Sequence, residues 1–144
     1  MELNKGLECE PVIASMQLAT TFWRRAVWMQ LGALNGLAAL FILLVTDAAM
    51  LSAGHAASIR LGAQVQFMHG MATLACATFM NIGANGARIA PAFFLSGILL
   101  YCLPIYAEVI GIAGWLALMK PVGLGAFTAG WIIMVWSARE IDKS

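Results

Sequence analysis

A chain of 144 residues, 62% of them hydrophobic and only 10% charged, has room for one domain and lies well outside the composition of an ordinary globular one. It reads as an integral membrane protein. The formal net charge of +1 and pI near 7.7 come from eight dispersed cations rather than a basic patch or stripe, which excludes nucleic acid as a partner.

Residues 1–22 read as a cytoplasmic or interfacial lead-in. Glu2, Lys5, Glu8 and Glu10 keep its start polar, and Pro11 opens the mildly apolar run VIASMQLATTF. At helical spacing Val12, Ile13, Met16 and Ala19 share one face, which suits a short helix lying on the bilayer surface or an unstructured tail. Trp23 and Trp28 flank Arg24 and Arg25, where an aromatic belt meets lipid phosphates. The apolar run that follows is longer than the core of about 7–15 residues in a cleaved signal, so it is read as a retained anchor.

The remainder, residues 23–144, reads as one domain with four membrane spans, near 26–49, 61–82, 91–110 and 121–138. Each has about the 20 apolar residues that cross a 30 Å hydrocarbon core. In the first span Gly32 and Gly36 form a small-xxx-small pair beside Asn35, a spacing that lets another backbone approach while the amide bonds across the contact. Asp47, Ser52, Gly54, His55 and Arg60 mark the exit into a loop.

The second span holds a stripe of polar residues, Gln66, His69, Thr73 and Cys76, three or four residues apart on one helical face. An ionisable group in a span must face protein or water, so this stripe points into the bundle. Asn35 and Tyr101 are the leading partners for His69. The run NIGANGAR from Asn81 to Arg88 ends the span with helix-stopping residues.

The third span opens at Pro91, an acceptable first-turn position, and carries an internal Pro104, which removes one backbone donor and predicts a kink between Tyr101 and Tyr106. Residues 111–120 are too apolar for a free loop and too short to span, so they lie at the interface with Trp115 as anchor. The fourth span carries Gly123, Gly125 and Gly130, a density that predicts close helix contact on one face. Counting cations, Lys5, Arg24, Arg25, Arg88, Arg139 and Lys143 fall on one side and Arg60 and Lys120 on the other. The positive-inside rule then puts both termini in the cytoplasm, in a multi-pass protein of the inner membrane.

The segments VQFMHGMATL, PAFFLSGILLY and above all KPVGLGAFTAGWIIMVWSA resemble a widespread family of small four-helix membrane proteins catalogued as domain-of-unknown-function 423. LGALNGLAAL in the first span and Ala53-Gly54-His55 are similar to it as well, so that the resemblance covers residues 31–138. It implies an all-α, four-helix membrane bundle in the inner membrane and no established activity. Where the family has a small-residue turn in the third span, this chain has Tyr101-Cys102-Leu103-Pro104.

No catalytic constellation is legible. There is no GxSxG, HExxH or phosphate loop, and the serines have no triad context. Cys9, Cys76 and Cys102 occur singly, and His55 and His69 stand on different elements with no carboxylate or thiolate at ligand spacing, so neither a metal nor another cofactor is assigned. The reading is a non-catalytic accessory subunit or assembly factor of a larger membrane complex, respiratory or otherwise electron-transferring. Its partners would be the lipid bilayer and other membrane subunits, met through apolar helix faces and the N-terminal segment. The alternative is a small homo-oligomeric transporter or channel using Asp47 and Glu108; a quinone, lipid or metal site through His69 is a third reading.

Overall fold

A computed structural model of the protein describes residues 25–112 and 114–143, all outside strands. The lead-in of residues 1–22, and with it the question of its helix, lies outside the described residues, as does Cys9. Four helices follow in order: α1 (Arg25–Ala48), α2 (Ala53–Asn81), α3 (Ala90–Val109) and α4 (Lys120–Ser137). Short 3-10 turns occupy Asn85–Arg88, Leu116–Met119 and Ala138–Lys143.

The expected loop between Asp47 and Arg60 shrinks to four residues, because α2 begins about two turns earlier than its apolar run. Ser52 caps it: its hydroxyl accepts the His55 N–H at 3.4 Å, satisfying one of the free donors of the first turn. Once capped there, the helix takes in Gly54, His55 and Arg60, whose polarity alone had suggested a loop.

The next two reversals use the same device. Gly83 (φ 100°) follows α2 and Gly111 (φ 77°) follows α3, each in the left-handed region that favours glycine. After each, an N–H returns to a carbonyl five residues back, Ala84 to Phe79 (3.0 Å) and Ile112 to Ala107 (3.0 Å), the longer bond of a Schellman cap. Pro91 and Pro121 open α3 and α4 in the first turn, where no donor is lost. Pro104 does not end α3, which continues five residues beyond it with the proline fully buried.

α1 packs chiefly along α2, α2 against α3, and α3 against α4. Each close crossing has glycine at its centre. A Cβ on Gly32 would stand 2.9 Å from the Gly70 carbonyl oxygen, and one on Gly70 would stand 3.2 Å from that of Gly32. The backbones of α1 and α2 therefore touch, with Gly36 lying more loosely over Phe67. Between α3 and α4, a Cβ on Gly123 would meet the Tyr101 nitrogen at 2.7 Å. The Phe94 ring lies over Gly130 and the Phe127 ring over Gly97, so each helix seats an aromatic ring on the other's glycine. Gly125 has nothing within reach and takes no part in packing, because it lies on the opposite side of α4.

α1 and the segments Asn85–Val109 and Leu116–Ile141 are each long and apolar enough to cross a membrane. α2 is the longest helix, at 29 residues, and its polar stripe makes it less apolar than the other three. It lies between α1 and α3, which cover the stripe together with Phe127 and Trp131 of α4. The result is an all-α membrane bundle with α2 at its centre.

Candidate functional site

Three helices meet at Gln66. Its side-chain oxygen accepts the Tyr106 hydroxyl at 2.9 Å, and its amide N–H groups point at the backbone and side-chain oxygens of Asn35, at 3.4 and 3.5 Å. Asn35 in turn donates to the Leu31 carbonyl at 3.0 Å. The chain of bonds runs from α3 through α2 to α1, and it uses both ends of the Gln66 amide. In lipid such a node matters because an unpaired amide has no water to turn to.

One turn on, His69 is engaged at both ring nitrogens. Nδ1 lies 2.8 Å from the Val65 carbonyl oxygen, which is an acceptor only, so Nδ1 carries the proton. Nε2 is then left as a lone pair, and it accepts the Trp131 indole N–H at 3.4 Å. The ring is neutral and stacks on Phe127 with centroids 3.6 Å apart. Phe94 lies tilted beside it, with centroids 5.7 Å apart. Thr73 donates to the His69 carbonyl at 2.9 Å. Both nitrogens are taken up by these bonds, and among the described residues no carboxylate stands beside the ring to make it a proton relay.

Two expected contacts are replaced by others. The tyrosine of the polar node is Tyr106 rather than Tyr101, whose ring instead packs edge-on against Phe127 at 6.0 Å. The reason is Gly62, four residues before Gln66: a Cβ there would stand 2.9 Å from the Tyr106 ring, so only glycine admits the ring to the stripe. The partner of His69 comes from the fourth span, as Trp131, and not from the first or third. Trp131 is partly exposed on the outer side of α4, but an indole N–H away from water still seeks an acceptor, and His69 supplies it.

Asp47 and Glu108 stand at helix ends, outside the interior. Asp47 accepts from Arg60 Nη2 and Nε at 2.8 and 3.2 Å, and Glu108 accepts from Lys120 at 2.6 Å. The Asp47 side chain is largely exposed and that of Glu108 partly so. The opposite end carries Arg25, which donates to Asn81, the exposed Arg88, and Arg139, whose guanidinium lies 4.8 Å over the Trp136 ring. There Glu140 accepts the Gly86 N–H at 3.0 Å, tying the end of the chain to the turn before α3.

Two hollows lie at the periphery of the described structure. A groove of about 430 Å³ opens between α1 and α3, walled by Phe41, Val45, Ile59, Tyr106 and Val109. A second, of about 400 Å³, runs along the outer side of α4. Among the described residues no three His, Cys, Asp or Glu side chains gather as a metal site would require, and Cys76 and Cys102 are buried separately.

A family model described as "Protein of unknown function (DUF423)" matches residues 45–123, more than half of the chain. The match takes in the end of α1, all of α2 and α3, and the first turn of α4; the glycine pair of α1 and the Ala129-Gly130-Trp131 motif lie outside it. No curated protein and no solved structure is matched.

Proposed function

We propose that this chain, which belongs to the DUF423 family of proteins of unknown function, is a non-catalytic accessory subunit or assembly factor that works through the lateral surface of α1. The observation that carries the reading is a seam. Leu34, Leu37, Phe41 and Leu44 follow one another at spacings of three, four and three residues, the period of a helix-docking edge. All four are more than half exposed, Leu37 at 65% and Leu44 at 68%. α1 meets α2 through the opposite, glycine-bearing face, so the seam is left for another helix.

The interior supports the same reading. Its polar groups bond one another, and Phe94 and Phe127 fill the space around them. A transporter using Asp47 and Glu108 would need these carboxylates facing a cavity, where their charge could follow a proton or cation; each is instead held by a cation at the rim. The chain is proposed to sit in the inner membrane with both termini in the cytoplasm and with residues 1–22 available to the same partner.

Mild extraction, a native gel and mass spectrometry test this. The expected result is migration far above the 15.4 kDa of the chain, at fixed stoichiometry with other membrane subunits, and release of the chain by the pair Leu37→Ala and Leu44→Ala. Migration only as a homo-oligomer, with a liposome flux abolished by Glu108→Gln or Asp47→Asn, would establish the transporter instead.

A further inference from the structure

We propose that the outer face of α4 holds one anionic phospholipid, with an acyl chain in the groove between Trp131 and Trp136 and the phosphate on Arg139. The groove, about 400 Å³, is lined by Thr128, Trp131, Ile132, Val135, Trp136 and Arg139. It therefore runs down the helix from a cation at its mouth into residues that are apolar. Thr128 is no exception, since its hydroxyl donates to the Leu124 carbonyl at 3.0 Å and leaves the methyl for the groove.

The mouth has the charge a phosphate needs. Arg139 lies two residues past the end of α4, at the level where a helix of this length meets the headgroups. Its guanidinium carbon lies over the Trp136 ring, 4.8 Å from the centroid. Among the described residues no carboxylate or carbonyl accepts from it. Of the other cations at helix ends, Arg60 and Lys120 are neutralised by carboxylates and Arg25 is bonded to Asn81; Arg88 is exposed as well but does not line this groove. The neighbouring Glu140 is turned away onto Gly86.

A planar guanidinium with its fork unoccupied is suited to bidentate phosphate contact. The groove wall is also preset from inside, because Trp131 is held by its bond to His69; a ligand meets a formed surface rather than one it must order. The proposal does not depend on the accessory-subunit reading.

The test uses the full chain, stripped of lipid in a neutral detergent and titrated with palmitoyl-oleoyl phosphatidylglycerol under native mass spectrometry. One lipid should be retained, with phosphatidylcholine of the same chains held more weakly and neither diacylglycerol nor glycerol phosphate held at the same concentration. Arg139→Gln should lower retention about tenfold, the scale of one charge-assisted contact. Val135→Trp should remove it by filling the groove while Arg139 stands. Both positions are exposed, and unchanged helicity and melting of the variants would show that the bundle is intact. Retention that survives either substitution, equal retention of phosphatidylcholine, or equal loss on Arg60→Gln at the far end would overturn the proposal.

Discussion

At the scale of single residues, the interior is organised by which side chain can reach which acceptor, and two substitutions separate the partners. Tyr106→Phe removes the donor to Gln66 and should lower stability by about 1 kcal/mol, in the range of interhelical hydrogen bonds in membranes. Tyr101→Phe, whose hydroxyl makes no bond in the node, should leave stability unchanged; equal losses in detergent unfolding would refute the assignment of Tyr106. For His69, nitrogen-15 spectra should report a protonated Nδ1 and a bare Nε2. A double-mutant cycle of His69→Leu and Trp131→Phe should show coupling, because the indole N–H has no other acceptor among the described residues; additive losses would mean that the 3.4 Å contact contributes nothing. The stripe of Gln66, His69 and Thr73 was legible in the sequence, since helical periodicity places those residues on one face whatever the tertiary structure. Their partners were not legible. Which tyrosine arrives depends on Gly62 leaving room for a ring, and a local pattern carries no sign of a neighbour thirty or forty residues away.

At the scale of elements, glycine decides the crossings and polar caps decide the ends. Gly32 and Gly70 are the tightest contact between α1 and α2, with a Cβ on the first placed 2.9 Å from the backbone of the second. Gly32→Leu should therefore detach α1 from α2 while leaving α3 and α4 packed, and Gly125→Leu, with open space around it, should do nothing. Proteolysis or exchange of α1 amides distinguishes the two, and an equal effect at both positions would overturn the packing described here. The sequence carried Gly32, Gly36, Gly123 and Gly130 as packing glycines on spacing alone. It could not separate them from Gly125, because density of glycine says how close a helix may come but not from which side. Four helices were equally plain from hydropathy, and the start of α2 was hidden for a chemical reason. Ser52 to Arg60 is polar enough for a loop, yet Ser52 is also a strong cap, and Arg60 gains a carboxylate partner only if the helix begins early enough to carry it to Asp47.

At the scale of the whole molecule, the two ends of the bundle differ in charge, and that difference bears on how the chain sits in the bilayer. At one end Asp47 and Glu108 neutralise Arg60 and Lys120. At the other, Arg25, Arg88 and Arg139 have no carboxylate partner among the described residues, and Glu140 is spent on a backbone N–H. It is the excess of Lys and Arg, whatever carboxylates lie beside them, that holds an end in the cytoplasm, so the end with only Arg60 and Lys120, against Arg24, Arg25, Arg88, Arg139 and Lys143 at the other, should be the one carried across. A single cysteine in place of Ser58, near the start of α2, should then react with an impermeant maleimide added outside intact cells, and one in place of Asn85, in the turn before α3, should react only after permeabilisation. Both positions are exposed, so burial cannot account for silence at either. The assignment can be strained further by adding arginines at Ser58 and Ala57 while changing Arg88 and Arg139 to Gln. Because the cation bias and not the fold sets orientation, that variant should insert in part the other way up, and labelling at Asn85 from outside should appear in it alone. Labelling of Asn85 from outside in the unmodified chain would reverse the topology and move the Arg139 end, with its lipid groove, to the opposite leaflet.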